Sequence, residues 1–130
     1  MGKETIICIV LVLVIIIGNY VTQNYTKESV KELSSKLDEL KEGILNIREG
    51  DTKELKEKIE EAKSEWEARH DKLAYYIEHD ELEKVENNLT GVISFIEMKE
   101  YAEAISELDK GVFVLKHIQD KYAFSLENVF

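Results

Sequence analysis

Three histidines, His70, His79 and His117, stand among many carboxylates and are the side chains of this sequence best suited to bind a metal or move a proton. His79 is expected at a junction between two helices, where its imidazole meets the last carbonyls of the first. If folding brings His117 near His79, these two with Glu83 or Asp120 are the candidate metal ligands, although no metal-ligand spacing joins them in the sequence. Nucleophilic catalysis finds no support. Cys8, the only cysteine, lies in an apolar run where it behaves as a small hydrophobe. No serine has a nucleophile-elbow context, and glycine-rich phosphate loops are missing. Trp66, Tyr75, Tyr76 and Tyr101 have the residue types of a ligand groove, yet aromatics at helical spacing belong first to a core. The expectation is a non-enzymatic chain with no catalytic residue, no cofactor and no resident metal.

The elements that carry these residues are helical. The chain has 130 residues, 44% apolar and 34% charged, with no proline and six scattered glycines, so nothing interrupts long helical patterns. Its net charge of −10 comes with Lys and Glu interleaved and no basic stripe, which argues against nucleic-acid binding.

Ile6 to Ile17 reads IICIVLVLVIII, without a polar side chain. With Thr5 and the Gly18–Val21 extension it covers roughly 26 Å as a helix, enough for a thin hydrocarbon core. Residues 1–22 are therefore expected to form a single transmembrane signal anchor, with Tyr20 and Tyr25 at the head groups. The positions where a signal peptidase would cut lack small residues, so retention is expected over cleavage. The lipobox and myristoylation patterns are not met at Cys8 and Gly2. The charge rule is obeyed poorly, since Lys3 faces Lys27, Lys31 and Lys36, but long domains translocate largely regardless of charge. The expected arrangement is a plasma-membrane protein with its N-terminus inside and an extracytoplasmic domain.

Residues 23–29 read as a polar juxtamembrane linker, with Asn24 or Thr26 capping the first soluble helix. Residues 30–119 read as a helical domain of two stacked antiparallel hairpins, and 120–130 as a C-terminal tail. Val30, Leu33, Leu37, Leu40, Ile44 and Ile47 form the first apolar stripe, which stops at Arg48-Glu49-Gly50. Asp51 with Glu54, and Asp80 with Glu83, have capping-box spacing. The second stripe is Leu55, Ile59, Ala62, Trp66, Leu73 and Ile77. The third is Leu82, Val85, Leu89, Val92, Ile93 and Ile96, and the fourth Ile105, Leu108, Val112 and Leu115. A shift of 49 positions superposes Leu33 on Leu82, Leu40 on Leu89 and Ile59 on Leu108, so the two hairpins are of one kind. Lys99 to Ile105 resembles the turn of a tetratricopeptide-like hairpin.

Two segments are more apolar than one buried face requires: Val92, Ile93, Phe95 and Ile96, and the unbroken Val112-Phe113-Val114-Leu115. Either the fourth helix is contacted from several directions, or Phe95 and Phe113 belong to a partner or self-association face. Phe130, beside the terminal carboxylate, is a third partner-binding candidate, with Leu126–Phe130 either packing on its own domain or docking into a partner.

Trp66, the segment Tyr76-Ile77-Glu78-His79-Asp80-Glu81-Leu82, the segment Leu115-Lys116-His117-Ile118 and the closing Leu126-Glu127-Asn128-Val129-Phe130 together resemble a known family. The chain is similar over nearly its whole length to the bacterial membrane proteins described as domain of unknown function 4363. Val129 departs from the isoleucine usual in their ending. The resemblance implies an N-terminal membrane segment and a helical domain, and supplies no activity and no site residues. The functional expectation is a membrane-anchored scaffold or protein-interaction module at the cell envelope, touching lipid through its first helix and binding a protein partner. The alternative is an extracytoplasmic sensor or binder of a small ligand or metal.

Overall fold

A computed structural model describes residues 2–47 and 51–122. Within them the chain is all-α: α1 (Lys3–Leu45), α2 (Thr52–Leu73), α3 (His79–Glu97) and α4 (Tyr101–Tyr122). The heptad-like stripes become the core. Val30, Leu33, Leu37, Leu40 and Ile44 from α1 meet Leu55, Ile59, Ala62, Trp66 and Leu73 from α2. Ile77 from the α2–α3 turn, Leu82, Val85, Leu89, Val92 and Ile96 from α3 and Ala104, Leu108, Leu115 and Ile118 from α4 complete it.

Each helix packs on its sequence neighbours, and α4 returns to pack on α1. The two hairpins thus face each other and close a four-membered ring, rather than continuing as an open solenoid. The ring keeps the internal repeat. Thr52–Leu73 and Tyr101–Tyr122 begin and end at positions related by the same 49-residue shift, so α2 and α4 are equivalent helices.

One expectation about α1 is corrected. Residues 23–29 are helical, and α1 runs unbroken for 43 residues. Asn24 and Thr26 do not cap a new helix. Thr26 and Ser29 are instead buried in phase with Val30, Leu33 and Leu37, and they satisfy their hydroxyls on carbonyls one turn back, Thr22 O at 2.9 Å and Tyr25 O at 2.7 Å. The apolar half of α1 is exposed, and it is long and apolar enough to cross a membrane.

The turns also differ from expectation. Asp51 takes helical backbone angles at the start of α2 without a side-chain cap bond. Glu78, with extended backbone, occupies the N-cap of α3, so Asp80 falls inside the first turn, where its charge suits the helix dipole. α4 continues through Asp120 to Tyr122, into the expected tail. Between α3 and α4, Lys99 adopts φ 60°, while the Glu100 N–H donates to Phe95 O at 2.8 Å and the Lys99 N–H to Ile96 O at 3.0 Å. That is a Schellman ending with lysine where glycine is usual.

Candidate functional site

The chemistry-bearing side chains gather on the N-terminal half of α3, where all three histidines pair with α3 carboxylates. From α2, His70 Nδ1 lies 2.7 Å from Glu86 Oε1. Within α3, His79 Nε2 lies 3.0 Å from Glu83 Oε1, one turn ahead. From α4, His117 Nε2 lies 3.4 Å from Glu81 Oε1. The expectation for His79 is therefore corrected: α2 ends at Leu73, and His79 opens α3 with its ring edge-on to that of His70, the two centroids 5.3 Å apart. His79 and His117 serve different carboxylates. Among the described residues, no group of three or more ligand-type side chains is placed to hold a metal.

Glu81 is the residue that sequence reasoning missed. It is only 5% exposed and receives Lys121 Nζ at 3.0 Å, with the same ammonium 3.7 Å from Glu78. Burial pushes the Glu81 carboxyl up. Hydrogen bonds from Lys121 and Tyr122, with the charges of Lys121 and His117, outweigh that and hold it below the usual carboxylate range. The same hydrogen bond raises Lys121 above its ordinary value. An acid held ionised in this way is suited to fastening α4 onto α3, not to donating a proton. A signal for it was available: Glu81 lies four residues before Val85, in phase with Leu89, Val92 and Ile96.

The same end of the bundle is tied by tyrosines. The Tyr76 hydroxyl donates to the Thr22 carbonyl at 3.2 Å and lies 2.9 Å from the Thr26 hydroxyl, and burial raises its phenol above the ordinary value despite the Thr26 contact. The Glu78 N–H donates to the Tyr122 hydroxyl at 3.0 Å. Arg69 joins Ser29 and Glu32, and its guanidinium sits 5.5 Å from the Tyr25 ring. Trp66 is buried in the core, Tyr75 and Tyr76 stand on the α2–α3 turn and Tyr101 meets Thr52 at the opposite end, so among the described residues these four share no groove.

The expected partner face divides. Phe95 is half-buried against the core, whereas Phe113 is 73% exposed. The fourth helix is not contacted all round. Ala104, Leu108, Gly111, Leu115 and Ile118 face inward, with Ile105 and Val112 at the flanks. Phe113 borders an open groove of about 790 Å³ between α3 and α4, with Lys84, Asn88, Ile105 and Lys110 on its walls. Phe130 lies outside the described residues.

This bundle, with the final turns of α1 beyond its apolar run, coincides with the part of the chain that a family profile matches, residues 20–129. The chain belongs to the family described as Domain of unknown function (DUF4363). The DUF4363 region thus takes in the ring of four helices and all three histidine–carboxylate pairs, and leaves out the apolar run up to Asn19. No curated protein and no solved structure matches the chain.

Proposed function

We propose that this DUF4363 chain is a non-enzymatic, single-pass membrane-anchored module that holds another protein of the cell envelope. The apolar half of α1 is the anchor, in the plasma membrane with the N-terminus inside and the bundle on the extracytoplasmic side. The observation that carries the partner reading is Phe113. Its ring stands 73% exposed and, unlike exposed Leu45 and Met98 at the turns, borders an open groove with Ile105 and Val114 on its walls, which supports an apolar contact there. The occupant that fits is an apolar helical segment of a second protein, with Lys84 and Lys110 at the groove available to acidic groups flanking that segment.

The test is a photo-crosslinking amino acid placed at Phe113 in native membranes, with Lys58 on α2 as the comparison site. The expected result is an adduct with a different protein from Phe113 and none from Lys58. Equal labelling from both sites, or an adduct of twice the chain mass, overturns a specific foreign partner. Protease treatment of spheroplasts checks the sidedness, and full protection of the bundle overturns it. The reading as a metal or small-ligand sensor draws no support from His79 and His117, each already engaged with its own carboxylate.

A further inference from the structure

Because α1 is one unbroken helix, the depth of its apolar run fixes the height of the bundle above it. Counting from Thr5, a hydrocarbon core of about 27–30 Å takes about 18–20 residues at about 1.5 Å each. The far boundary then falls between Thr22 and Asn24. The α2–α3 turn is bonded at this level: Tyr76 donates to Thr22 O at 3.2 Å, and its hydroxyl lies 2.9 Å from that of Thr26. α4 ends beside the same turn, with the Tyr122 hydroxyl on the Glu78 N–H at 3.0 Å. Thr22 to Thr26 spans only about 6 Å of helix, no more than the head-group layer of one leaflet.

Side-chain types at this end match that location. Of the six tyrosines, Tyr101 alone sits at the opposite end, while Tyr20, Tyr25, Tyr75, Tyr76 and Tyr122 share this one. Tyr75 at the tip of the turn is 88% exposed, an arrangement that wastes an aromatic ring in water. Among head groups, the ring enters the acyl boundary while its hydroxyl stays wet. Asp71, Glu78 and Asp80 around the turn offset Arg69, Lys72 and Lys121, so it has no basic excess with which to seek anionic lipid.

We propose that the α2–α3 turn, residues 74–78, is a second membrane contact, in which Tyr75 inserts among zwitterionic phospholipid head groups and the bundle stands directly on the bilayer. The proposal rests on the anchor reading of α1. It makes the membrane surface a wall of the binding geometry, with the Phe113 groove held at a set height above it instead of swinging on a tether.

The experiment uses the full chain with Cys8→Ser, reconstituted in phosphatidylcholine vesicles and carrying one environment-sensitive fluorophore on Val14→Cys, Ala74→Cys or Met98→Cys. Met98 is an exposed site at the far end of the bundle. The expected result is acyl-chain quenching at Val14 and head-group quenching several-fold stronger at Ala74 than at Met98. Adding Tyr75→Ser should lower the Ala74 signal, with the Trp66 emission unchanged as the check on folding. Quenching at Val14 with none at Ala74 overturns the second contact and leaves the anchor standing. A signal at Ala74 indifferent to Tyr75→Ser, or dependent on added anionic lipid, overturns the tyrosine mechanism. Absence of quenching at Val14 overturns the anchor and the second contact together.

Discussion

The hydroxyls of Thr52 and Tyr101 lie 2.7 Å apart across 49 residues of sequence, so the first residues of two equivalent helices touch each other. Such a contact between matching positions is what a pseudo-two-fold axis along the bundle produces, with α1 related to α3 and α2 to α4. Tyr101→Phe removes the bond and keeps the ring. It should cost about 0.5–1.5 kcal/mol, read as a lower urea midpoint of the full chain in detergent by Trp66 fluorescence. An unchanged midpoint would show that the contact adds nothing to closure of the ring.

The Glu81–Lys121 pair makes stability depend on pH at both extremes. The folded-state value of Glu81 is lowered from 4.5, so its contribution is present above that value and is lost as pH falls through the lowered one. The folded-state value of Lys121 is raised from 10.5, so its contribution is present below that value and is lost as pH rises through the raised one. Urea midpoints measured across acid pH should fall for the native chain and flatten in Glu81→Gln. Lys121→Met should lower the midpoint at neutral pH, because it leaves the buried carboxylate without its main partner.

Lys99 carries a left-handed backbone that costs an L-residue roughly 1–2 kcal/mol relative to glycine. The lysine side chain has no buried role to lose. Lys99→Gly should therefore stabilise the bundle by about 1 kcal/mol, a rise of about 4–8 °C in thermal midpoint for a domain of this size. A lower midpoint would mean that the lost chain entropy outweighs the relief.

Gly111 faces inward from the middle of α4, where an added Cβ would meet Leu37 Cδ1 at 3.5 Å, an ordinary van der Waals contact. Gly111→Ala should gain about 0.5–1 kcal/mol of helix stability. Gly43 differs, since its Cβ would approach Leu55 Cδ2 to 3.0 Å. Gly43→Ala should therefore gain less than Gly111→Ala in parallel melts, with the order reversed if Leu55 moves aside freely.

Phe113→Ala should leave stability within about 0.5 kcal/mol, as at other exposed sites. Phe95→Ala removes packing from the edge of the core and should cost about 2 kcal/mol, less than the roughly 3–5 of a fully buried ring. Crosslinking to a partner from a photo-reactive residue at Lys110, on the same groove, should be lost in Phe113→Ala while the bundle melts normally. Equal destabilisation by both substitutions would place Phe113 in the core instead.

Much of this fold was legible because helical periodicity is local. Residues three and four apart share a face whatever the rest of the chain does, so Val30 to Ile44, Leu55 to Trp66 and Leu82 to Ile96 declared their helices and inward faces. The apolar run from Ile6 declared the long exposed helix, and the 49-residue shift declared the equivalence of the hairpins.

What only the tertiary structure decided are relations between stripes. Polar Thr26 and Ser29 read as a break, because their hydroxyls look like caps until one sees them bonded back along α1 and buried under α2. Glu81 read as surface, and only the arrival of Lys121 and His117 from α4 makes its burial tolerable. The assignment of His70, His79 and His117 to separate carboxylates, the closing of α4 on α1 and the exposure of Phe113 all depend on helix register and rotation. Those are set by cross-helix packing, which no single stripe encodes.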